Sequence, residues 1–261
     1  MYYIKMIETS FKNSLKFKFD IIVSILGRII IMFVQVEVWK ALLNSKSTNS
    51  MGINNMIIYL CIGVTISTLY YPNISGIIGE KINDGSISID IIRPINYSIS
   101  MFCYSFGQII NSIIFKSIPV LIVAILVFKI NIHCSLLQWF LFVIFLCLNV
   151  LMYWYVFFII GLLHFTLTQA FWFGRICMDI MGILGGSFLP LWIFPKPLQI
   201  LAYCLPFHLF YQFTQQFLMT SFTINQLAFW IFQYLFWLII LITISKLLFY
   251  YGLKRITING G

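Results

Sequence analysis

The sequence predicts an all-α integral membrane protein. Its parts are six transmembrane helices, an N-terminal interfacial helix, a charged helix on the cytoplasmic side, and an outer re-entrant helical segment between spans five and six. Three observations point there. The chain is 61% hydrophobic and 9% charged, where soluble domains are about 25% charged. A bilayer can hide that much apolar surface and a soluble globule cannot. Its apolar runs reach the roughly 20 residues that cross hydrocarbon, and the polar breaks between them share Lys and Arg unevenly, which marks orientation across a membrane.

Residues 1–19 read as an amphipathic helix. Ile4, Ile7, Phe11 and Leu15 recur at helical spacing, and Lys5, Lys12 and Lys16 fall on another face. Such a helix lies in the interface plane with its lysines among head groups. Lys18 points into the apolar arc and snorkels from the helix end. The alternative is a plain basic flank of span one. The charged start leads into a span long enough to stay, so no cleavable leader is read.

Span one covers 21–39. Its Glu37 pairs with Lys40 at i,i+3; Arg28 and Glu37 lie half a turn out of phase and cannot pair within the helix. Span two covers 56–78, bent by Pro72. Span three covers 101–128 and holds Lys116 and Pro119. Spans four and five cover 136–163 and 171–193. In span five, Gly182, Gly185 and Gly186 allow close helix contact, and Arg175 and Asp179 are spaced to pair at its inner mouth. Residues 195–226 are broken by Pro195, Pro197 and Pro206, yet Leu198, Leu201, Phe207, Phe210 and Phe213 make them too greasy for water. They predict short helices that dip into the outer leaflet against protein, the one place where irregular backbone is tolerated at membrane depth. Span six covers 227–250.

Six spans place both ends on one side. That side carries Lys5, Lys12, Lys16, Lys18, Lys81, Arg93, Arg175, Lys246, Lys254 and Arg255, ten in all, against four (Lys40, Lys46, Lys129, Lys196) on the other. Ten against four assigns both termini to the cytoplasm. The whole of 1–261 then forms one transmembrane domain in a cell membrane.

The most charged internal stretch is 79–97. It holds Glu80, Lys81, Asp84, Asp90 and Arg93, five of 23 charges, and sits between two spans on the cytoplasmic side. Ile87, Ile89, Ile91 and Ile92 give it a greasy knob inside a charged rim. Gly85 ends the preceding turn and Pro94 stops the helix. A soluble partner would meet the membrane here; the alternative is an ordinary inner loop.

Other functions lack their residues. The formal charge of +9 comes with no basic run interleaved with exposed aromatics, so it points to anionic lipid and not to nucleic acid. There is no Gly-Lys dipeptide, hence no phosphate-cradling G-x-x-x-x-G-K-[ST] loop. There is no H-E-x-x-H or G-x-S-x-G. His133, His164 and His208 are scattered and read as interfacial. The six cysteines form no C-x-x-C; they read as free thiols, with a Cys134–Cys204 disulfide as the alternative. No catalytic residue, metal site or cofactor is therefore assigned, and no matched inverted halves suggest a secondary transporter. Two intramembrane cations are candidates for a pathway, Lys116 and Arg28. A mid-span charge costs about 2.5–3.5 kcal/mol, so Lys116 either faces the bundle, binding an anionic head group or a partner carboxylate, or snorkels from a shorter span. Arg28, nearer the inner leaflet, snorkels.

Two stretches carry a resemblance. Gly85-Ser-Ile-Ser-Ile-Asp-Ile-Ile-Arg-Pro94 resembles the segment after the second span of ABC-2 type permeases, where a charged stretch leads into Gly, a short helix and Pro. The stretch from Gly185 to Phe207, with Gly186, Pro190, Pro195 and Pro206, resembles that family's end of span five and its outer re-entrant turn. Order and span number agree, so the resemblance covers nearly the whole chain. It is nearest a subgroup made as two related permeases beside a separate ATPase. The resemblance implies an export permease, itself not an enzyme, with ATP hydrolysed on cytoplasmic ABC ATPase subunits. It also implies a second permease, self or related, as dimer partner and membrane lipids around both. Residues 86–92 would be the coupling helix, and the substrate an amphiphile such as a drug, an antimicrobial peptide or a lipid-like molecule. A non-transporting membrane interaction or bacteriocin-immunity protein is the alternative.

Overall fold

A computed structural model describes residues 2–45, 52–70, 73–132, 134–167, 171–220 and 222–254. These residues form the helices α1 (Tyr2–Ser14), α2 (Lys18–Ser45), α3 (Ile53–Ser67), α4 (Ile74–Asn83), α5 (Ile87–Ile92), α6 (Tyr97–Ser112), α7 (Ile118–Phe128), α8 (Leu136–Leu162), α9 (Phe171–Leu184), α10 (Lys196–Cys204), α11 (Thr214–Phe217) and α12 (Ile224–Leu253). Among the described residues there is no strand.

Four stretches are long and apolar enough to cross a bilayer: Lys18–Leu43, Tyr97–Phe128, Leu136–Phe165 and Ile224–Leu253. They coincide with predicted spans one, three, four and six. The starts of α8 and α12 are fixed locally by capping boxes, Ser135 with Gln138 and Thr223 with Gln226. In each, side chain and backbone exchange bonds and satisfy amide groups that a helix start leaves open.

The predicted second and fifth spans are not single long helices. α3 has 15 residues, about 22 Å at 1.5 Å per residue, short of a hydrocarbon core of about 30 Å. Its end is set by hydroxyls turned back on its own carbonyls, Ser67 to Val64 and Thr68 to Thr65. The chain resumes at α4, capped by Asn73 through the Gly76 amide at 3.1 Å. Pro72 and Lys46 lie outside the described residues. α9 has 14 residues and stops where Gly186 takes φ +81°, a conformation that glycine adopts without strain. The amides of Gly185, Gly186 and Ser187 bond back to Met181, Ile183 and Gly182, which satisfies its last carbonyls.

α8 is the central helix. Its buried Phe145, Met152, Tyr153, Trp154, Phe157 and Phe158 pack against α4, α12 and the segment around Phe210. A second core, with Met32, Val36, Tyr59, Leu60 and Val120, lies where α2, α3 and α7 meet. By contrast α2 and α12 leave apolar rows exposed, Ile22, Leu26, Ile30 and Val34 on one and Phe232, Leu235 and Ile239 on the other. Helices apolar on both faces are at home in lipid or against another membrane chain.

The helix read from residues 1–19 forms, but its buried contact is the serine side and not the whole apolar arc. α1 packs along α6: Ser10 Oγ donates to the Tyr104 carbonyl at 2.6 Å, and the Phe11 and Phe115 rings lie 6.4 Å apart. Ile4 stays exposed, free to meet lipid. Gly107 makes the close approach possible, because a Cβ there would collide with the Ile7 carbonyl oxygen. Gly107→Val is therefore expected to pry α1 off α6 at about 1–3 kcal/mol, the usual cost of overpacking. Faster proteolysis within α1, with far-UV helicity retained, would report it.

All six cysteines are free, and Cys134 Sγ donates to the Leu218 carbonyl at 3.0 Å. The alternative disulfide with Cys204 is not formed.

Candidate functional site

Three regions gather the residues singled out from the sequence. The first is the charged turn. α4 ends at Asp84, and Gly85 takes φ +76° to reverse the chain. Asp84 Oδ1 accepts from the Ser86 amide at 2.9 Å. Hydrogen bonds from the Ser86 side chain and backbone hold the Asp84 carboxyl below its ordinary value. The stability this adds to the turn is complete above the ordinary aspartate pKa and is lost as the pH falls through the lowered one.

α5 then runs for six residues until Arg93 turns extended before Pro94, as a residue preceding proline must. Asp90 is gripped by two cations, Lys81 Nζ at 2.5 Å and Arg93 at 3.6 Å, which ties α5 back to α4. The isoleucines divide. Ile87 is 2% exposed and anchors α5 in the core, whereas Ile89 and Ile92 are 59% and 79% exposed. Ile87 thus holds the knob in place, and Ile89 and Ile92 are the knob itself. Glu80, Asp84, Gly85 and Pro94 are exposed around them.

The second region is the break between α3 and α4, where the two intramembrane cations meet. Arg28 donates to Ser67 Oγ at 3.0 Å. Thr68 and Ser117 share a short hydroxyl–hydroxyl bond. Ser117 closes a π-helical turn, Ile113–Ser117, that joins α6 to α7. It forms where Pro119 has no N–H for the Phe115 carbonyl. Lys116 sits in that turn, 4% exposed, with Nζ 3.8 Å from Asp20 Oδ2. So Lys116 faces the bundle, and Arg28 is engaged by a neighbouring helix and not only drawn to the surface. The other spaced pairs form too: Lys40–Glu37 at 2.7 Å and Arg175–Asp179 at 3.8 Å.

The third region is the proline-spaced segment. Past Gly186 and Pro190 comes a short 3-10 turn, Leu191–Ile193; Pro195 precedes α10; Pro206 leads into a second π turn, Leu209–Phe213, and α11. Buried side chains bond its backbone at several points. The Leu209 carbonyl accepts from Thr214 Oγ1 at 2.8 Å and the Tyr234 hydroxyl at 3.0 Å, and the Phe210 carbonyl accepts from the Tyr70 hydroxyl at 3.1 Å. The Tyr234 hydroxyl also lies 3.0 Å from Asn149 Oδ1, and Asn149 Nδ2 donates to Thr214 at 2.8 Å. Nearer Gly186, the Tyr59 hydroxyl shares its proton between the Gly186 carbonyl at 2.6 Å and Gln212 Oε1 at 2.7 Å. The same oxygen takes the Leu191 amide at 3.1 Å. Irregular backbone buried this way needs such partners.

Sequence reasoning passes over Tyr59, Asn149, Gln212 and Tyr234. The available signal was a carboxamide in the middle of span four, Asn149, and another in a greasy segment, Gln212. His164 and His208 are buried within the protein, and each ring bonds a carbonyl three residues back, Gly161 at 3.1 Å and Leu205 at 2.8 Å. His133 and Arg255 lie outside the described residues.

Among known families, the chain matches the one described as ABC-2 family transporter protein, over residues 29–260. No curated protein matches it.

Proposed function

The chain belongs to the ABC-2 family of transporter proteins, and from that premise we propose that it is the permease subunit of an ATP-driven exporter for an amphiphilic substrate. A drug, an antimicrobial peptide or a lipid-like molecule fits that class. The family is a membrane transport component that works with an ABC ATPase. The observation that carries the finer reading is α5, a short helix on a charged turn that holds Ile89 and Ile92 out into solvent while Ile87 roots it.

In this reading α3 and α4 together make span two, α9 and the turn beyond it make span five, and the count is six. Both termini and the charged turn then face the cytoplasm, and 1–261 is one permease domain. The segment after α9 dips into the outer leaflet and returns. Nucleotide closure of the ATPase pulls α5, whose Asp90 clamp passes the pull to α4. α4 swings at the break after Ser67, where Arg28, Ser117 and the turn holding Lys116 meet it, and α3 opens the pathway. The uncovered faces of α2 and α12 leave room for lipid and for a second permease, self or related.

Purification of the tagged chain from native membranes, with every bound protein identified, tests this. An ABC ATPase is expected in stoichiometric amount, with its hydrolysis changed by the chain. A chain that carries out its full activity with no nucleotide-hydrolysing companion would remove the proposal.

A further inference from the structure

A cavity of about 230 Å³, with polar side chains set among apolar ones, opens where α1 turns into α2, walled on its far side by α4 and α6. That is several times the roughly 30 Å³ share of one water. Lys116 and Asp20 line it as an ion pair, Lys116 buried and Asp20 mostly exposed. Asn111, 3% exposed, lines it too, and its Nδ2 has no hydrogen-bond partner among the described residues; nor has Gln108 Oε1 on the same wall. A buried amide end left unbonded is destabilising, so each calls for a ligand group. One is a donor and the other an acceptor.

The complement of this wall is a zwitterion. Lys116 and Asn111 offer donors to an anion, and Asp20 and Gln108 offer acceptors to a cation that carries N–H bonds. A purely anionic group would satisfy the first pair and meet the Asp20 carboxylate unpaired. A quaternary ammonium would bring charge but no proton for Gln108. The mouth indicates where the ligand comes from. Phe17 lines the cavity, and Phe17 and Phe19 are exposed beside exposed Lys16 and Lys18. Aromatic rings beside lysines belong at the level where acyl chains give way to phosphates.

We propose that this cavity binds the phosphoethanolamine head group of a membrane lipid, its phosphate on Lys116 and Asn111 and its ammonium on Asp20 and Gln108. The bound lipid would brace the joint between α1, α2 and the π turn. The inference does not depend on transport or on the ATPase.

The test is native mass spectrometry of the full chain in detergent, titrated with phosphatidylethanolamine, phosphatidylcholine or phosphatidylglycerol. The ethanolamine lipid is expected to bind about tenfold tighter than either, the worth of one charge-assisted hydrogen bond. Lys116→Met and Asn111→Leu each remove a phosphate donor that all three lipids use, so each should weaken binding of all three about tenfold, and Lys116→Arg should bind them as the unaltered chain does. Asp20→Asn, at an exposed position where folding is not at stake, should shift the preference toward the glycerol lipid. Equal binding of the three lipids, a glycerol preference in the unaltered chain, or an Asp20→Asn profile identical to it would each overturn the proposal. Displacement of the lipid by an equal concentration of soluble phosphoethanolamine would overturn the membrane source.

Discussion

Ile89→Asp combined with Ile92→Asp is expected to abolish ATP-dependent transport while leaving the chain folded and in the membrane. Both side chains stand in solvent and belong to no internal core, so their loss removes nothing that holds the fold. If they fill a cleft on the ATPase, placing two carboxylates in that apolar contact costs several kcal/mol. Co-purification with the ATPase should fall more than about a hundredfold, since each 1.4 kcal/mol is tenfold. The control is Ile87→Asp, which buries a charge beneath α5 and should instead lower the melting temperature and the yield. Normal transport by the Ile89/Ile92 double variant would end the docking role of α5, and so would a yield as poor as that of Ile87→Asp.

Asn149→Asp is expected to be the most destabilising one-atom exchange in the chain. Asn149 is fully buried and uses both ends of its amide, one toward Thr214 and one toward Tyr234. A carboxylate keeps the acceptor but loses the donor, and among the described residues no cation is bonded there to pair with it. An uncompensated buried charge costs about 3–5 kcal/mol, a large part of the stability of most folds. Thermal unfolding in detergent should drop sharply, and should recover in part as acid pH protonates the carboxyl. Asn149→Ser, which returns a neutral hydroxyl, should lose much less. Equal melting of the Asp and Ser variants would show that the network does not hold the segment.

Much of this architecture is legible in order along the chain. Apolar runs locate the four long helices, because a stretch that cannot live in water has few other places to go. The spacing of Asp84, Gly85, Ser86 and Pro94 writes the charged turn locally, and Glu37–Lys40 and Arg175–Asp179 follow from helix geometry alone. The breaks were harder to see. Ser67 and Thr68 are common helix residues, and only their bonds to Arg28 and Ser117 from other helices make the end of α3 a joint. The π turn at Lys116 had a local hint in Pro119, but nothing local said that its lysine would face Asp20, 96 residues away in the chain.

The sequence by itself determined that this protein lives in a membrane, which family it belongs to, and where its charged turn lies, since hydropathy and short turn motifs act over a few neighbouring residues. The tertiary structure alone decided which face of each helix is used. Ile87 inward against Ile89 outward, Ser10 against Gly107, Tyr59 and Tyr234 bonding carbonyls of the proline-spaced stretch, and Asn149 joining Tyr234 to Thr214 are all choices made between helices. Their physical reason is that a buried backbone group must find a partner wherever the fold brings one, and sequence distance does not record that.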